Sequence, residues 1–179
     1  MFVLGIDPGL TRCGYGLVTG PEGHERAVAA GVVTTDVADS IPVRLATLRA
    51  DLQAIICEFE PDVVVVERVL FQTNARTAMS VGQASGIALL SAAEAGLEVV
   101  EYSSNEVKLA VAGYGAATKR QVQEMVASLL SLREIPKPPD AADALALALC
   151  HLAHGRLATA LKRMGQPLMA APQTTGAAL

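Results

Sequence analysis

Four acidic residues stand where a folded chain could bring them together. Asp7 and Glu67 each follow an apolar run that is typical of a strand, and Asp140 and Asp143 are three residues apart at the expected start of a helix. The last two side chains therefore point from one helical face. A group of carboxylates suits a divalent cation such as Mg²⁺, and a cation held in this way can activate water.

Three of these carboxylates also have a purely structural interpretation. Asp before Pro and Gly commonly starts a turn, which would account for Asp7. Glu67 could be a solvated residue at a strand end, and Asp140 could cap the last helix. Asp143 is harder to explain, because it interrupts an apolar helical face where an ionised group needs a compensating partner. The set of four is more specific than any one member.

The hydrophobic pattern predicts the elements that position these residues. The first three β-rich stretches predict an antiparallel meander, and strands and helices alternate after it. The predicted strands are residues 2–6, 14–18, 28–34, 63–66 and 97–102. The predicted helices are residues 40–59, 76–95, 118–132 and a last helix that begins near residue 140. This order predicts an α/β fold, with a mixed sheet covered by helices on both faces.

The adjacency of two strands decides whether the acidic residues meet. Sites in open α/β sheets form at the carboxyl ends of strands. Asp7 and Glu67 both stand at such ends, so their side chains converge if the first and fourth strands are neighbours.

Composition limits the class of protein. The chain has 179 residues, of which 51% are hydrophobic and none is Trp, so we expect one domain, residues 1–157, with an aliphatic core. Residues 158–179 lose periodicity and collect Pro, Gly, Thr and Ala, which predicts a disordered tail. A net charge of −4 argues against indiscriminate coating of nucleic acid but allows a local basic path. No leader or membrane-spanning pattern is visible, so we expect a cytoplasmic protein.

The cysteine and histidine residues do not predict a metal site of their own. Cys13, Cys57 and Cys150 are odd in number and far apart, which favours reduced thiols that serve as packing residues. Cys150, His151 and His154 offer at most three zinc ligands on an apolar helix, so we expect packing or helix-end charge there instead.

Four motifs, in order, resemble the RuvC family of crossover junction endodeoxyribonucleases. They are GIDPGLTRCGYG at 5–16, VERV at 66–69, GQASG at 82–86 and DAADALALA at 140–148. The resemblance runs from Phe2 to about Arg156. It implies an RNase H-like fold in which the four acidic residues named above are the metal-binding catalytic acids.

The activity implied by the resemblance is nicking of four-way (Holliday) DNA junctions with Mg²⁺, two ions per site, and with Mn²⁺ as a substitute. Phosphodiester hydrolysis needs a water in line with the leaving 3′ oxygen, and two ions about 3.5–4 Å apart would clamp the attacking and leaving oxygens. Without metal, the carboxylates would repel one another and raise some of their pKa values.

The resemblance also implies DNA contacts. Lys108 and Lys119 match the family's lysines, and Lys119 is expected close enough to the scissile phosphate to assist the chemistry. The further basic residues expected along the DNA are Arg68, Arg76 and Arg120. Leu70 stands where the family often has a stacking phenylalanine and Phe71 follows it, so either residue is a candidate for the wedge at the junction centre.

Symmetry and partners follow from the same resemblance. Two matching nicks on opposed strands suit a two-fold dimer with one site per subunit. The resemblance implies such a homodimer and cooperation with the RuvA and RuvB branch-migration proteins. Gly82 and Gly86 indicate close contact with another helix, and a partner subunit is one source of that helix.

Three other functions fit parts of the sequence. The segment DPGLT at 7–11 also resembles the first phosphate loop of actin-like ATPases, but those proteins need a second domain and would give Asp140 and Asp143 no role. An RNase H-type or YqgF-like RNA-processing nuclease would share the carboxylates but lack the junction dimer surface. A catalytically silent module would bind junctions without cutting them.

Overall fold

The strands and helices are described for residues 1–69 and 75–163 of a computed structural model, without the side chains of 75, 76 and 158–163. The strands are β1 (Phe2–Asp7), β2 (Arg12–Thr19), β3 (Arg26–Thr34), β4 (Val63–Glu67) and β5 (Glu98–Tyr102). They form one sheet in the order β3-β2-β1-β4-β5. The pairs β1–β2 and β2–β3 are antiparallel, whereas β4 is parallel to both β1 and β5. The predicted mixed sheet is confirmed.

Helices cover both faces of this sheet, as predicted. They are α1 (Ile41–Phe59), α2 (Ala75–Glu94), α3 (Ser104–Ala112), α4 (Lys119–Leu129) and α5 (Pro139–Arg163). Successive side chains of a strand point to opposite faces. In β4, Val64 and Val66 therefore pack with α1 and α2, while Val63 and Val65 pack with α3, α4 and α5. The run of valines is buried on both sides, which is why it shows no alternation of polar and apolar residues.

Helix α3 was not predicted from the sequence. This helix has nine residues, and its start carries a capping box in which the Ser103 hydroxyl accepts a hydrogen bond from the Glu106 amide. The Glu106 carboxylate in turn accepts a hydrogen bond from the Ser103 amide at 2.7 Å. A Ser followed three residues later by Glu is a sequence signal for a helix start, and it is the one that would have found α3.

Glycines on β1 and β2 allow α5 to lie directly against the sheet. A Cβ atom at Gly14 would lie 2.6 Å from the carbonyl carbon of Asp140, and one at Gly16 would lie 2.8 Å from the amide nitrogen of Leu145. At Gly5, a Cβ atom would overlap the backbone at Ala144. No side chain fits at these three positions without moving α5.

Three expectations about the rest of the chain have different outcomes. Cys13 and Cys150 are buried, but Cys57 is exposed on α1, so its interpretation as a packing residue was wrong. Helix α5 continues to Arg163, past the expected domain end at 157, and 164–179 of the predicted tail lie outside the described residues. None of the helices described is both long enough and apolar enough to cross a membrane.

Candidate active site

Asp7 and Glu67 leave neighbouring parallel strands at the same edge of the sheet. Ile6 of β1 pairs with Val66 of β4, so the next residue of each strand lies beside the other. A hydrogen bond joins the two carboxyl groups. The first and fourth strands are thus neighbours, which is the condition on which the convergence of Asp7 and Glu67 depended. We call Asp7 and Glu67 the strand half of the site.

The loop that follows Asp7 is fixed by a small hydrogen-bond network. Arg44 on α1 donates from Nη2 to the Thr11 hydroxyl at 2.7 Å and from Nε to the Thr35 hydroxyl at 2.9 Å. The Thr35 hydroxyl donates to the Leu10 carbonyl at 2.5 Å and is buried. These bonds tie the loop to β3 and α1, which limits its freedom next to the carboxylate.

Asp140 and Asp143 project from the first turns of α5, and we call them the helix half. The Nζ atom of Lys119, the first residue of α4, lies 2.5 Å from Asp143 Oδ2. A capping box formed by Thr118 and Gln121 fixes the start of α4, and therefore the backbone position of Lys119. Asp140 instead pairs with Arg12 at 2.8 Å. Each carboxylate of the helix half thus has a cationic partner.

A cavity of about 280 Å³ joins the two halves. Its polar walls are Asp7, Glu67, Asp143, Lys108 and Lys119, with Ser104 at the start of α3. Its apolar walls are Val107, Val122, Ala146 and Leu147. The structure thus brings together five residues that were singled out from the sequence. Asp140 is three residues before Asp143 on α5, outside the cavity lining, and pairs with Arg12. Arg12 and Ser104 were not among the site residues predicted from the sequence.

The strand half binds protons unusually tightly. Burial raises the pKa of Asp7 from an ordinary value of 3.8 to about 8, and the charges of Glu67 and Asp143 add to this effect. Burial also raises the pKa of Glu67. Without metal at neutral pH, the Asp7 carboxyl group therefore carries its proton, because a second negative charge in this buried place is costly.

The ionisation of the helix half depends on Lys119. Burial raises the pKa of Asp143, although the hydrogen bond and charge of Lys119 oppose this rise. Burial lowers the pKa of Lys119, but its hydrogen bond to Asp143 and the surrounding carboxylates outweigh burial and raise the pKa overall. The lysine is therefore an ammonium ion at neutral pH.

The donor set fits a divalent cation, although the ligands are not arranged around one in advance. Among the residues described, no three His, Cys, Asp or Glu side chains surround a common point. The reason is visible: Asp7 and Glu67 hydrogen-bond to each other, and Asp143 faces Lys119. Three carboxylates on one cavity are oxygen ligands of the kind that Mg²⁺ and Mn²⁺ prefer. A cation would relieve the repulsion that raises their pKa values.

The other residues predicted to contact DNA lie apart from the cavity or outside the described residues. Arg68 donates to the Glu101 carbonyl at 3.0 Å, and the Arg120 side chain is 83% exposed and pairs with Glu124. Leu70, Phe71 and the side chain of Arg76 lie outside the described residues. The DNA contacts assigned to these five residues remain predictions.

The histidines of α5 contact a tyrosine at the end of β5. The Tyr102 hydroxyl lies 3.1 Å from Nδ1 of His151, and its ring meets His154 edge-on at a centroid distance of 4.8 Å. Cys150 is buried in the same layer. These side chains join α5 to the end of the strand next to β4.

Known proteins resemble this chain along most of its length. The sequence matches the family model described as crossover junction endodeoxyribonuclease RuvC over residues 3–151. A crossover junction endodeoxyribonuclease RuvC of Salinispora arenicola is 52% identical over 168 residues, covering 91% of this chain and 96% of the relative. The corresponding protein of Syntrophomonas wolfei is 46% identical over 162 residues, covering 90% and 94%.

Solved structures resemble the fold. The RuvC protein of Thermus thermophilus in complex with a Holliday junction substrate superposes with a TM-score of 0.84 at 38% identity, covering 89% of this chain and 97% of that chain. The yeast mitochondrial Holliday junction resolvase superposes with a TM-score of 0.66 at 16% identity, covering 90% and 83%, a likeness of fold alone.

Proposed function

Because the chain belongs to the RuvC family of crossover junction endodeoxyribonucleases, we propose that the cavity between its strand half and its helix half is the site that cuts four-way DNA junctions. The chain is a metal-dependent endonuclease of recombination and repair, as its family is. One observation carries the assignment of the site: carboxylates from β1, β4 and α5 line one cavity together with two lysines.

We propose Asp7, Glu67, Asp140 and Asp143 as the metal ligands, with two Mg²⁺ ions as the native cofactor and Mn²⁺ as a substitute. Bound Mg²⁺ supplies water activation and neutralisation of charge at the phosphate. For its part, the protein must release the proton that Asp7 holds in the metal-free state, because a carboxylate binds a cation only when it is ionised. Metal binding is therefore accompanied by proton release.

Lys119 acts on the phosphate as a charge and not as a base. Its pKa is raised, so it keeps its proton at neutral pH, and an ammonium ion beside the scissile phosphate stabilises the negative charge that develops there. Lys108 lines the same cavity from α3 and is proposed to hold the DNA backbone. The basic path is proposed to continue through Arg68, Arg76 and Arg120, with Leu70 or Phe71 as the junction wedge.

An exposed stripe on α2 supports a homodimer. Met79, Gly82, Gly86 and Leu90 are exposed, and a Cβ atom added at either glycine would meet nothing within 4 Å. The fold of this chain therefore does not require these glycines, in contrast to those beneath α5. A small-residue stripe between two exposed apolar side chains suits close packing against the same helix of a second copy. Cooperation with RuvA and RuvB in the cytoplasm is proposed from family membership.

The test of this function is a comparison of substrates. A synthetic four-way junction, a linear duplex with the sequence of one pair of arms and an RNA–DNA hybrid are incubated with the protein in Mg²⁺ or in EDTA. We expect paired symmetric nicks in the junction in Mg²⁺ and little cutting of the other two. Preferential cutting of the hybrid would support the RNase H-type alternative, and junction binding without cutting in Mg²⁺ would support the silent module.

A further inference from the structure

Arg12, the first residue of β2, contacts the carboxylate of Asp140 from a position 128 residues away in sequence. Its Nε and Nη2 atoms lie 3.1 and 2.8 Å from Asp140 Oδ2. Both hydrogen bonds fall on one oxygen of the carboxylate. Arg12 thus fixes the orientation of the group through Oδ2 and does not itself occupy Oδ1.

The backbone of Asp140 is fixed from the same strand. Gly14, two residues after Arg12, lies directly beneath the Asp140 backbone and pairs across the sheet with Asp7. One short segment of β2 therefore sets both the position of Asp140 relative to Asp7 and the direction of its carboxylate.

The ion pair between Arg12 and Asp140 contributes little to the stability of the fold. The Arg12 side chain is 47% exposed and that of Asp140 is 27% exposed, so water screens much of the attraction between them. Ion pairs of this kind contribute little to stability. Their geometry still matters where one partner is a metal ligand, since groups that orient a ligand affect metal affinity and activity.

We propose that Arg12 is a positioning residue that holds Oδ2 of Asp140 so that Oδ1 is presented to the divalent cation. This inference rests on the proposed assignment of Asp140 as a metal ligand. It accounts for the difference between the two cations of the helix half: Lys119 lines the cavity, whereas Arg12 reaches the site only through the carboxylate that it orients.

The test compares Arg12→Ala and Arg12→Lys with Arg49→Ala. Arg49 is a matched control, because it forms a pair with Glu94 at 2.8 Å and is 42% exposed, but on α1, away from the cavity. Three quantities are measured for each variant. They are the affinity for Mn²⁺ by calorimetry without DNA, the affinity for the junction in EDTA, and kcat for junction cleavage in Mg²⁺. We expect Arg12→Ala to weaken Mn²⁺ binding and lower kcat, each by about 10–100-fold, with unchanged junction affinity and Tm. Arg12→Lys should recover part of both losses, and Arg49→Ala should match wild type.

The outcomes separate this inference from the assignment beneath it. If Asp140→Asn leaves Mn²⁺ binding unchanged, the assignment of Asp140 as a ligand fails. If Asp140→Asn weakens Mn²⁺ binding but Arg12→Ala behaves like Arg49→Ala, only the role of Arg12 is contradicted. A loss of junction affinity without a loss of Mn²⁺ binding would make Arg12 a phosphate contact and would also overturn the inference. In the Asp140→Asn background, Arg12→Ala should have no further effect.

Discussion

The strand half and the helix half of the active site neutralise their carboxylates by different means. In the strand half, Asp7 and Glu67 are buried side by side and joined by a hydrogen bond, so a proton removes the repulsion between them. In the helix half, cationic side chains from β2 and α4 lie against the carboxylates. A cation that enters the cavity must therefore displace a proton from one half and compete with ion pairs in the other.

This difference has a physical origin in the elements themselves. Parallel strands bring their carboxyl ends together at one edge of a sheet, so Asp7 and Glu67 lie side by side, where burial and their mutual repulsion raise the pKa of Asp7. At the start of α5, cationic side chains from β2 and α4 reach the two carboxylates and pair with them. The strand half should thus be the more sensitive to pH, and the helix half the more sensitive to placement of α5.

The largest effect is expected from Asp7→Asn, which removes an anionic ligand from the strand half but keeps its shape. Junction cleavage in Mg²⁺ should fall by at least about 1,000-fold, because several kcal/mol of charge stabilisation are lost and each 1.4 kcal/mol is about tenfold in rate. Junction binding in EDTA should be unchanged. Asp51→Asn, on the exposed surface of α1, serves as the control and should cut like wild type. Normal cleavage by Asp7→Asn would remove this residue from the site.

Gly14→Ala tests the helix half by changing the contact between β2 and the start of α5. The added methyl group would overlap the backbone of Asp140 and displace the start of α5. We expect the free energy of unfolding to fall by about 1–3 kcal/mol. A ligand shift of about 1 Å can cost roughly 100-fold in rate. Gly115→Ala is the matched control, since a Cβ atom there meets nothing within 4 Å. Chemical denaturation and kcat measure the two effects, and equal behaviour of the two variants would contradict the described packing of α5.

The pH dependence of stability tests the strand half, where Asp7 binds a proton in the folded protein. The pKa of Asp7 is about 8 in the folded protein and 3.8 ordinarily, so the folded state binds this proton more tightly. The resulting stabilisation is complete below about pH 4 and is lost as the pH rises to about 8. We therefore expect the free energy of unfolding, measured in EDTA, to decrease between about pH 4 and pH 8 by at least about 1 kcal/mol more for wild type than for Asp7→Asn. Parallel profiles would show that Asp7 titrates normally.

The smallest effect is expected from Lys108→Ala. Lys108 lines the cavity but belongs to neither ion pair of the helix half, so both halves should keep their arrangement. Junction affinity should weaken, and the slope of log K against log salt concentration should become shallower by about 1, as for the loss of one phosphate contact. Arg26→Ala, at the opposite end of the sheet, should leave the slope unchanged. A fall in kcat at saturating junction, with the slope unchanged, would give Lys108 a different role.

The sequence predicts the strand half better than the helix half, because local patterns identify the strand half, whereas the helix half depends on a contact between residues far apart in sequence. A run of β-branched residues that ends in Glu67 and an apolar run that ends in Asp7 are local patterns, and chain order limits which strands can be neighbours. The spacing of Asp140 and Asp143 likewise predicts a shared helical face. The partner of Asp140 is not predictable in this way, because Arg12 meets it only when α5 lies on the glycines of β2.

Short elements also limited the prediction. Helix α3 carries Lys108 and Ser104 to the cavity, but its nine residues give too little periodicity to distinguish it from the loop that follows β5. The capping box of Ser103 and Glu106 is a local signal of a helix start, but it was not used in predicting the helices. The position of a short helix on the sheet depends on tertiary packing, which no local pattern contains.

The most direct test of the central claim is the position of Mn²⁺ in crystals of the wild-type protein, located from its anomalous scattering. If the two halves form one metal site, the strongest anomalous peak will lie in the cavity. It will be within coordination distance of a carboxylate oxygen of Asp143 and of a carboxylate oxygen of at least one of Asp7 and Glu67. The Lys119–Asp143 contact should lengthen at the same time. Mn²⁺ bound to only one half, or only elsewhere on the surface, would contradict the account.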